Sequence, residues 1–386
     1  MSKKIVFISH QASRTGAPIV LLHLLRWLKQ HTSFHLTIVL GEGGELESEF
    51  RQVAETHVWQ LHTPRSVWQG RWQRLIGHQT SHQRRIMSRL KQVAPDIIYA
   101  NTIVSAPLGI RLKQQLQCPL VCHVHELGVV INEFIGREAF TRLSTEVDFF
   151  IAVAGAVAAN LRQQHQIPAT KITNVYEFVP VLDARDYLPA RRRVRQELGI
   201  PDDAFVVAGA GPIDWRKAPD LFIQVAQHVG EHQGIPTVFI WPGGNLSSVD
   251  GWRVQHDVAH AGVEKQVHFL GAKANPYDYL SAADVFLLTS REDPYPLVCL
   301  EAASLGKPII CFADSGGMPE FVEQDCGFVV PYLRTDLMAA AVLQLRDSVE
   351  LRHTLGDNAA RKMRARHTIE LAGQQINEML NGLTQC

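Results

Sequence analysis

The sequence predicts an α/β protein made of two Rossmann-like domains, each a doubly wound parallel sheet. Short runs of β-branched residues alternate with longer helical patterns, which is typical of parallel strands joined by crossover helices. The alternation breaks at residues 176–202, a stretch with three prolines and a run of charges, and then resumes. A length of 386 residues also suits two domains better than one. We therefore expect two domains, 1–180 and 181–366, facing each other across a cleft.

The strands are expected where apolar, β-branched runs end at loops. Seven are predicted before the break, at 5–9, 36–40, 58–61, 97–100, 120–124, 149–153 and 172–175. Six are predicted after it, at 205–209, 237–241, 267–270, 285–289, 308–311 and 328–330. Ligands of doubly wound sheets bind beyond the carboxyl ends of the strands. The residues that carry function should therefore lie in the loops that follow strands.

The composition excludes several classes of protein. Lysine plus arginine and aspartate plus glutamate each number 38, so the net charge indicates no partner, and no nucleic-acid-binding motif is present. No apolar stretch approaches the roughly 20 residues of a membrane-spanning helix, so a cytoplasmic protein is expected. The first strand is not followed by a G-x-G-x-x-G fingerprint, which argues against a dehydrogenase.

The segment T-S-R-E-D-P-Y-P-L-V-C-L-E-A-A-S-L at 289–305 has the most informative pattern. Pro296 suits the first position of a helix, because its missing N–H has no partner there anyway. The free amides of Leu297 and Val298 would then form an anion site at the positive end of the helix dipole. Glu301, one turn further on, is placed to accept hydrogen bonds from a ribose diol. Asp293 could face positive charge that develops on a sugar carbon.

A second segment, G-A-G-P-I-D-W-R-K-A-P-D at 209–220, follows a predicted strand. A turn containing Gly211, followed by the adjacent cations Arg216 and Lys217, suits the neutralisation of a leaving diphosphate. The alternative is an ordinary surface turn.

Three further loops contain candidate residues of lower specificity. In the first turn, Thr15 and Gly16 precede a helix, and glycine allows the backbone to approach a ligand closely. His123, His125 and Glu126 stand at the end of the strand at 120–124. They could be metal ligands, but nothing in the sequence supports a third ligand at this strand, and no D-x-D motif occurs, so no metal is expected. In S-G-G-M-P-E, the pair Gly316 and Gly317 is expected to expose backbone amides before a helix, and Glu320 is more often structural.

These motifs together resemble the retaining glycosyltransferases of the GT-B fold, specifically glycosyltransferase family four. The family has two glutamates eight residues apart around a glycine-rich turn. Here Asp293 and Glu301 occupy those positions, with P-Y-P in place of the usual G-F-G. Aspartate is shorter than glutamate, so neighbouring Glu292 competes for the first role. The resemblance implies that Glu301 contacts the ribose of the nucleotide.

The other loops match the same family in order. Lys217 matches the family lysine, whereas Pro212 occupies the position of the family arginine, and we suggest that Arg216 supplies the missing charge. His125 matches a histidine that hydrogen-bonds the transferred sugar. Gly16 matches a glycine that approaches the donor phosphate. Thr15 replaces the second glycine of that family loop. Thr15, Glu126, Gly316 and Gly317 are assigned to the acceptor or sugar side.

The resemblance implies the activity and the domain roles. A hexosyl group would pass from a UDP- or GDP-linked sugar to a glycan, lipid-linked or small-molecule acceptor, with retention of configuration and without a metal or another cofactor. The first domain would serve the acceptor, the second would bind the donor, and a helix within 367–386 would pack back on the first. Two alternatives stay open: a sugar-nucleotide epimerase on the same fold, and a non-catalytic protein that binds nucleotide sugars.

The stretch 65–91 is basic and has no acidic residue. Trp68, Trp72, Leu75 and Ile76 fall on one face at helical spacing. Such a helix suits contact with an anionic membrane, with each cation contributing about 1 kcal/mol. A peripheral position at the inner face of the membrane is therefore one hypothesis. The other is a solvated helix whose aromatic residues pack on the first domain.

Overall fold

The computed structural model describes residues 2–60 and 80–383. The chain divides into two compact units, one formed by Met1–Glu177 with Ile369–Cys386 and the other by Phe178–Thr368. Each unit contains one parallel sheet, so the predicted class of two doubly wound sheets is confirmed.

The first unit is built on a seven-stranded sheet in the order β3-β2-β1-β4-β5-β6-β7. Its strands are β1 Lys4–Ser9, β2 His35–Leu40, β3 Glu55–Val58, β4 Ile97–Asn101, β5 Leu120–Val124, β6 Phe149–Ala152 and β7 Ile172–Asn174. Its helices are α1 Gly16–His31, α2 Glu47–Val53, α3 Ser81–Val93, α4 Ala106–Leu116, α5 Gly128–Phe134, α6 Arg137–Ser144, α7 Gly155–His165 and the C-terminal α16 Ile369–Gly382. The central strands are buried on both faces because helices cover the sheet on each side.

Helix α16 packs against α1, where Gly373 leaves room for the ring of Trp27: a Cβ at Gly373 would lie 2.5 Å from Trp27 Cδ2. The ammonium of Lys3 donates hydrogen bonds to the carbonyl oxygens of Leu380 and Asn381 at 2.7 and 2.9 Å. A cation at the C-terminal end of a helix is favourable because it opposes the negative end of the helix dipole. These contacts hold the C-terminal helix on the first unit.

The second unit is built on a six-stranded parallel sheet in the order β10-β9-β8-β11-β12-β13. Its strands are β8 Phe205–Ala208, β9 Thr237–Pro242, β10 Val267–Gly271, β11 Val285–Leu288, β12 Ile309–Phe312 and β13 Gly327–Val330. Its helices are α8 Leu188–Glu197, α9 Pro219–Gly230, α10 Val249–His260, α11 Pro276–Ala282, α12 Leu297–Ser304, α13 Met318–Val322, α14 Thr335–Asp347 and α15 Val349–Arg366. The core under α9 and α14 includes Phe222, Trp241, Phe312 and Met338.

One expectation about an individual element is wrong. The strand expected at 58–61 lies at Glu55–Val58, an edge strand whose polar residues hide its pattern; the apolar residue beyond it, Trp59, is buried outside the strand. The break at 176–202 contains α8, which belongs to the second unit. Arg195 of this helix donates to the carbonyl of Ala282 and to Asp284, which fixes α8 on the sheet.

Trp68 and Trp72 of the basic stretch 65–91 lie outside the described residues, as do three of its seven cations, Arg65, Arg71 and Arg74. The described part, α3, buries Ile86, Leu90 and Val93 in the first unit. Arg89 of the same helix is paired with Glu55 at 2.9 Å. Membrane contact by this stretch therefore stays a prediction. Among the helices of residues 2–60 and 80–383, none combines the length and apolar character needed to cross a membrane.

Candidate active site

Both sheets have a topological switch point, where the chain reverses the direction in which it adds strands. In the second unit this point lies between β8 and β11, and the two loops that follow these strands contain 209–218 and 289–296. Doubly wound sheets bind ligands at the carboxyl ends of the strands beside such a point. The tertiary fold thus brings together the two segments with the strongest sequence patterns.

The loop after β8 is shaped so that Lys217 turns back over it. Asp214 Oδ1 accepts the backbone N–H of Lys217 at 2.7 Å, and Ala218 takes the left-handed conformation before α9 begins. Gly211 has φ +133°, and a Cβ there would lie 3.1 Å from Lys217 Cε. Gly211 therefore both permits the turn and leaves room for the lysine side chain.

Lys217, Arg216 and Asp293 form one charge cluster. Lys217 Nζ lies 2.5 Å from Asp293 Oδ2, and Arg216 Nη1 lies 3.4 Å from the same oxygen. Ser290 Oγ donates a hydrogen bond to it at 3.2 Å. Lys217 and Asp293 are only 8% and 5% exposed. Two cations therefore face one carboxylate, and the surplus positive charge suits an anionic ligand.

The backbone of Asp293 is held in place by the loop that follows β12. The N–H of Asp293 donates to Ser315 O at 2.7 Å, and the N–H of Gly317 donates to Pro294 O at 2.9 Å. Gly316 has φ +138°, and a Cβ there would lie 1.7 Å from Asp293 O, so only glycine fits. The expectation that both glycine amides are exposed is wrong for Gly317, because its amide is used to join the two loops.

Pro296 was expected to be the first residue of a helix, but α12 begins at Leu297, so Pro296 is the residue before the helix. Proline has no side-chain acceptor, so it does not cap the amides of Leu297 and Val298, which lie at the positive end of the dipole. The P-Y-P turn is anchored by Tyr295, which is buried and whose hydroxyl lies 3.3 Å from His367 Nε2.

Glu301 and Glu292 are both half-buried beside this cluster. Burial raises the pKa of Glu301 to about 7, although a hydrogen bond from the Tyr277 hydroxyl at 3.3 Å opposes that rise. The backbone carbonyl of Glu292 accepts a hydrogen bond from Arg216 Nη1 at 3.3 Å. It is thus the aspartate, Asp293, whose carboxylate contacts the two cations of the cluster.

The first unit has its own polar cluster at the carboxyl ends of β4, β5 and β7. His125 Nδ1 lies 2.6 Å from Glu177 Oε1, and His125 Nε2 lies 2.9 Å from Asn101 Oδ1. The amide of Asn101 donates to Ala17 O, which orients its oxygen toward the ring. Both ring nitrogens therefore face acceptors, which is the arrangement of a doubly protonated imidazolium. Burial disfavours that charge, but the Glu177 carboxylate outweighs it and raises the pKa of His125.

The two other residues of the H-V-H-E motif are buried in the protein. Glu126 accepts hydrogen bonds from the backbone amides of Ile103 and His125 at 3.3 and 2.9 Å, so it fixes the loops after β4 and β5. Burial raises the pKa of Glu126 to about 7. His123 is 2% exposed and contacts the Tyr99 hydroxyl at 2.7 Å. Within residues 2–60 and 80–383, no three His, Cys, Asp or Glu side chains are grouped to hold a metal ion.

The first turn of the chain leads directly into α1. Thr15 is the residue before the helix and Gly16 is its first residue. The Thr15 hydroxyl contacts Ser13 Oγ at 2.9 Å and does not cap the helix. His10 lies in the same loop, and burial, with a smaller effect from the charge of His125, lowers its pKa to about 4.

Four residues of these clusters are not predicted by the sequence patterns: Asn101, Glu177, Ser290 and Tyr277. Asn101 was detectable in principle, because it ends β4 beside the switch point of the first sheet. Glu177 lies 52 residues from its partner His125, so no local pattern links them.

Comparison with known proteins agrees with this architecture. The family model of glycosyltransferase family 4 matches residues 14–181, and that of glycosyl transferases group 1 matches residues 190–362. The D-inositol 3-phosphate glycosyltransferase of Kribbella flavida is 26% identical over 68% of this chain and 66% of its own length. The lipopolysaccharide core biosynthesis glycosyltransferase LpsD of Rhizobium meliloti is 29% identical over 46% of this chain and 50% of its own length. The match to the inositol 3-phosphate enzymes thus spans about two thirds of their length.

Solved structures support the GT-B fold predicted from the sequence. The Anabaena protein HepE, crystallised with UDP and glucose, has a TM-score of 0.80 and 22% identity, covering 99% of this chain and 100% of that one. Sucrose-phosphate synthase from Thermosynechococcus elongatus has a TM-score of 0.77 and 19% identity, covering 98% of each chain. With the two family models matching consecutive parts of the sequence, the chain belongs to glycosyltransferase family 4.

Proposed function

We propose that this protein transfers a hexosyl group from a nucleoside diphosphate sugar to an acceptor hydroxyl, with retention of configuration. The observation that carries the proposal is the cluster of Lys217, Arg216 and Asp293 at the switch point of the second sheet, next to the start of α12. Two cations and the amide end of a helix are the groups that stabilise a leaving diphosphate.

The second unit is proposed to bind the donor. Its diphosphate would take hydrogen bonds from the amides of Leu297 and Val298 and charge from Lys217 and Arg216. Glu301, half-buried one turn into α12, would accept the ribose hydroxyls. HepE was crystallised with UDP-glucose, which supports a UDP-linked hexose as the first donor to test.

The first unit, with α16, is proposed to serve the acceptor. His125 would donate a hydrogen bond to the transferred sugar, and Glu177 and Asn101 would keep its ring oriented and charged. Relatives named for D-inositol 3-phosphate and for the lipopolysaccharide core support a hydroxyl acceptor on a polar or glycan molecule.

In the proposed reaction the acceptor oxygen bonds to the anomeric carbon on the face that the diphosphate leaves. The bond between that carbon and the phosphate oxygen breaks, and the leaving phosphate takes the proton of the acceptor hydroxyl. The same face is attacked and vacated, so the anomeric configuration is retained. Cations and backbone amides fixed in advance would stabilise the departing charge in place of a metal ion.

The test is transfer and hydrolysis of UDP-glucose, UDP-galactose, UDP-N-acetylglucosamine and GDP-mannose by the full chain. Lys217→Met should lower the rate by about 10²–10³, the usual cost of one preorganised electrostatic contact. Lys265→Met, at an exposed lysine of the same unit, is the matched control and should keep the parent rate. NMR of the product would identify the anomer, and assays with EDTA would test independence from metal.

Three results would overturn the proposal. Conversion of the donor to an epimer without transfer would favour the epimerase. Binding of the donor with no turnover above background would favour a non-catalytic protein. An inverted anomer would refute retention.

A further inference from the structure

A separate cavity lies beside the amino-terminal ends of β11 and β12 in the second sheet, whereas the candidate active site lies at the carboxyl ends of the strands. Its volume is about 380 Å³. Asp284, which lines it, directly precedes β11, and Lys307, which also lines it, comes just before Pro308 and β12, whereas the active-site loops follow the carboxyl ends of the strands. No residue of the Lys217 cluster lines this cavity.

The lining of the cavity is cationic. Arg191 comes from α8, Lys307 precedes β12, and Arg352 and His353 come from α15. Asp284 is the one carboxylate in the lining. Three permanent or titratable cations and a histidine therefore face a single negative charge.

The carboxylate of Asp284 already has hydrogen-bond donors within the protein. Asp284 accepts hydrogen bonds from Arg191 Nη2 at 2.7 Å, from Arg195 Nη2 at 2.8 Å and from the backbone amide of Val206 at 2.8 Å. Burying charge is tolerated where it is paired, and here the pairing of Asp284 is complete without Lys307.

Arg352 donates to the carbonyl oxygens of Leu345 and Arg346 at 2.6 and 2.9 Å, and Lys307 likewise has no carboxylate partner among the described residues. Its ammonium has three donors, and the structure gives it one acceptor, Ser281 O at 3.2 Å. Burial and, to a smaller extent, the charge of Arg191 lower the pKa of Lys307 to about 7. An anion in the cavity would supply the missing partner.

The cavity also has an apolar side. Tyr187, Leu188 and Leu305 line it, and Gly306 has no atom within 4 Å of the place where a Cβ would stand. This leaves room for a compact organic group next to the cations.

We propose that this cavity binds a small phosphate monoester, whose phosphate dianion contacts Lys307, Arg191 and Arg352 and whose organic part lies against Tyr187 and Leu188. Charge-assisted hydrogen bonds to phosphate are stronger than hydrogen bonds between neutral groups, and an arginine can donate two of them in parallel. The proposal does not depend on the transferase assignment.

The first test is calorimetric titration of the full chain with inorganic phosphate and with phenyl phosphate. We expect both to bind, phenyl phosphate more tightly, and Lys307→Met to weaken both about tenfold or more. Lys217→Met should leave this binding unchanged, which separates the cavity from the proposed donor site. Lys265→Met is the control for loss of a lysine charge elsewhere.

A second variant guards against a folding defect. His353 is exposed on α15, so His353→Glu should fold normally and weaken phosphate binding through the added negative charge. His232→Glu, at an exposed position outside the cavity, should not weaken it. Parent protein that fails to bind phosphate, or binding that survives both cavity variants, would overturn the proposal.

Proton uptake gives an independent readout. The charged or titratable groups that face Lys307 are Arg191, Arg195, Asp284, Arg352, His353 and Tyr187. With a pKa of about 7, Lys307 is about half protonated at pH 7, and a bound anion should raise that pKa and draw in about half a proton.

Sulfate, which does not titrate near neutrality, is the probe for this measurement, in buffers of different ionisation enthalpy. Lys307→Arg keeps the charge and should bind sulfate without this uptake. Equal uptake by Lys307→Arg would refute the role of Lys307.

Discussion

The substitution Asp293→Asn tests whether the buried cluster of the second unit is held by mutual neutralisation. Asp293 and Lys217 are nearly inaccessible, and their charged atoms lie 2.5 Å apart. With an effective dielectric constant near 20, such a separation gives an attraction of about 6–7 kcal/mol, most of which offsets the cost of removing both charges from water. Without the carboxylate, Lys217 and Arg216 would repel each other in a buried site, so we expect a loss of about 3–5 kcal/mol in the free energy of unfolding.

The same substitution should change ligand binding in the opposite direction. Freed from Asp293, Lys217 is available to a diphosphate, so the affinity for UDP should rise about tenfold, which corresponds to about 1.4 kcal/mol. The rate of transfer should nevertheless fall, because the carboxylate proposed to face the sugar carbon is lost.

Urea unfolding and calorimetric titration with UDP measure the two effects. Asp220→Asn is the matched control. Asp220 forms an ion pair with Arg291 at 2.6 Å, but the side chain of Asp220 is 43% exposed. Surface ion pairs of that kind contribute at most about 1 kcal/mol. If Asp293→Asn unfolded at the parent urea concentration, or bound UDP no more tightly than the parent, the cluster would not work as we describe.

Three other predictions follow from the geometry of the two clusters. Glu177→Gln should lower the pKa of His125, observed by NMR titration of the ring. Because that pKa is raised in the parent, the ion pair stabilises the fold fully just below the ordinary histidine pKa of about 6.5 and is lost as the pH rises through the raised value. An unchanged titration would mean that Glu177 does not govern the ring. Gly316→Ala should lower the free energy of unfolding by about 3 kcal/mol or more, because the new Cβ would lie 1.7 Å from a backbone carbonyl oxygen. Gly262→Ala is the control: this glycine also has a positive φ, but its Cβ would meet open space, so the loss should be only about 1–2 kcal/mol. Thermal or urea unfolding measures both. Glu301 has a pKa of about 7, so donor affinity should fall about tenfold between pH 8 and pH 6 as the carboxylate is protonated, and Glu301→Gln should flatten that profile.

The architecture followed from local patterns. Buried parallel strands such as β4 and β5 are continuous apolar runs, and the loops after them carry glycines, prolines and charges that are visible without any tertiary information. Strand β3 was misplaced because an edge strand is half exposed and carries Glu55 and His57, which weaken its pattern.

The partners within each cluster were decided by the tertiary structure. Lys217 and Asp293 are 76 residues apart, and they meet because β8 and β11 are neighbours at the switch point of the sheet. That pairing also shows which of two adjacent acids, Glu292 or Asp293, contacts the cations, a choice that the sequence left open. The imidazolium form of His125 depends on Glu177, brought to it by the end of β7.

The sequence by itself identified the loops in which the polar and charged clusters lie, because residue type and strand periodicity are local properties. Only the tertiary structure decided protonation and pairing, because these depend on burial and on distances between residues far apart in the chain. Lys307 shows the difference most clearly. In the sequence it is one lysine near the start of a strand, and in the fold it is a half-buried cation beside an aspartate already bound by two arginines.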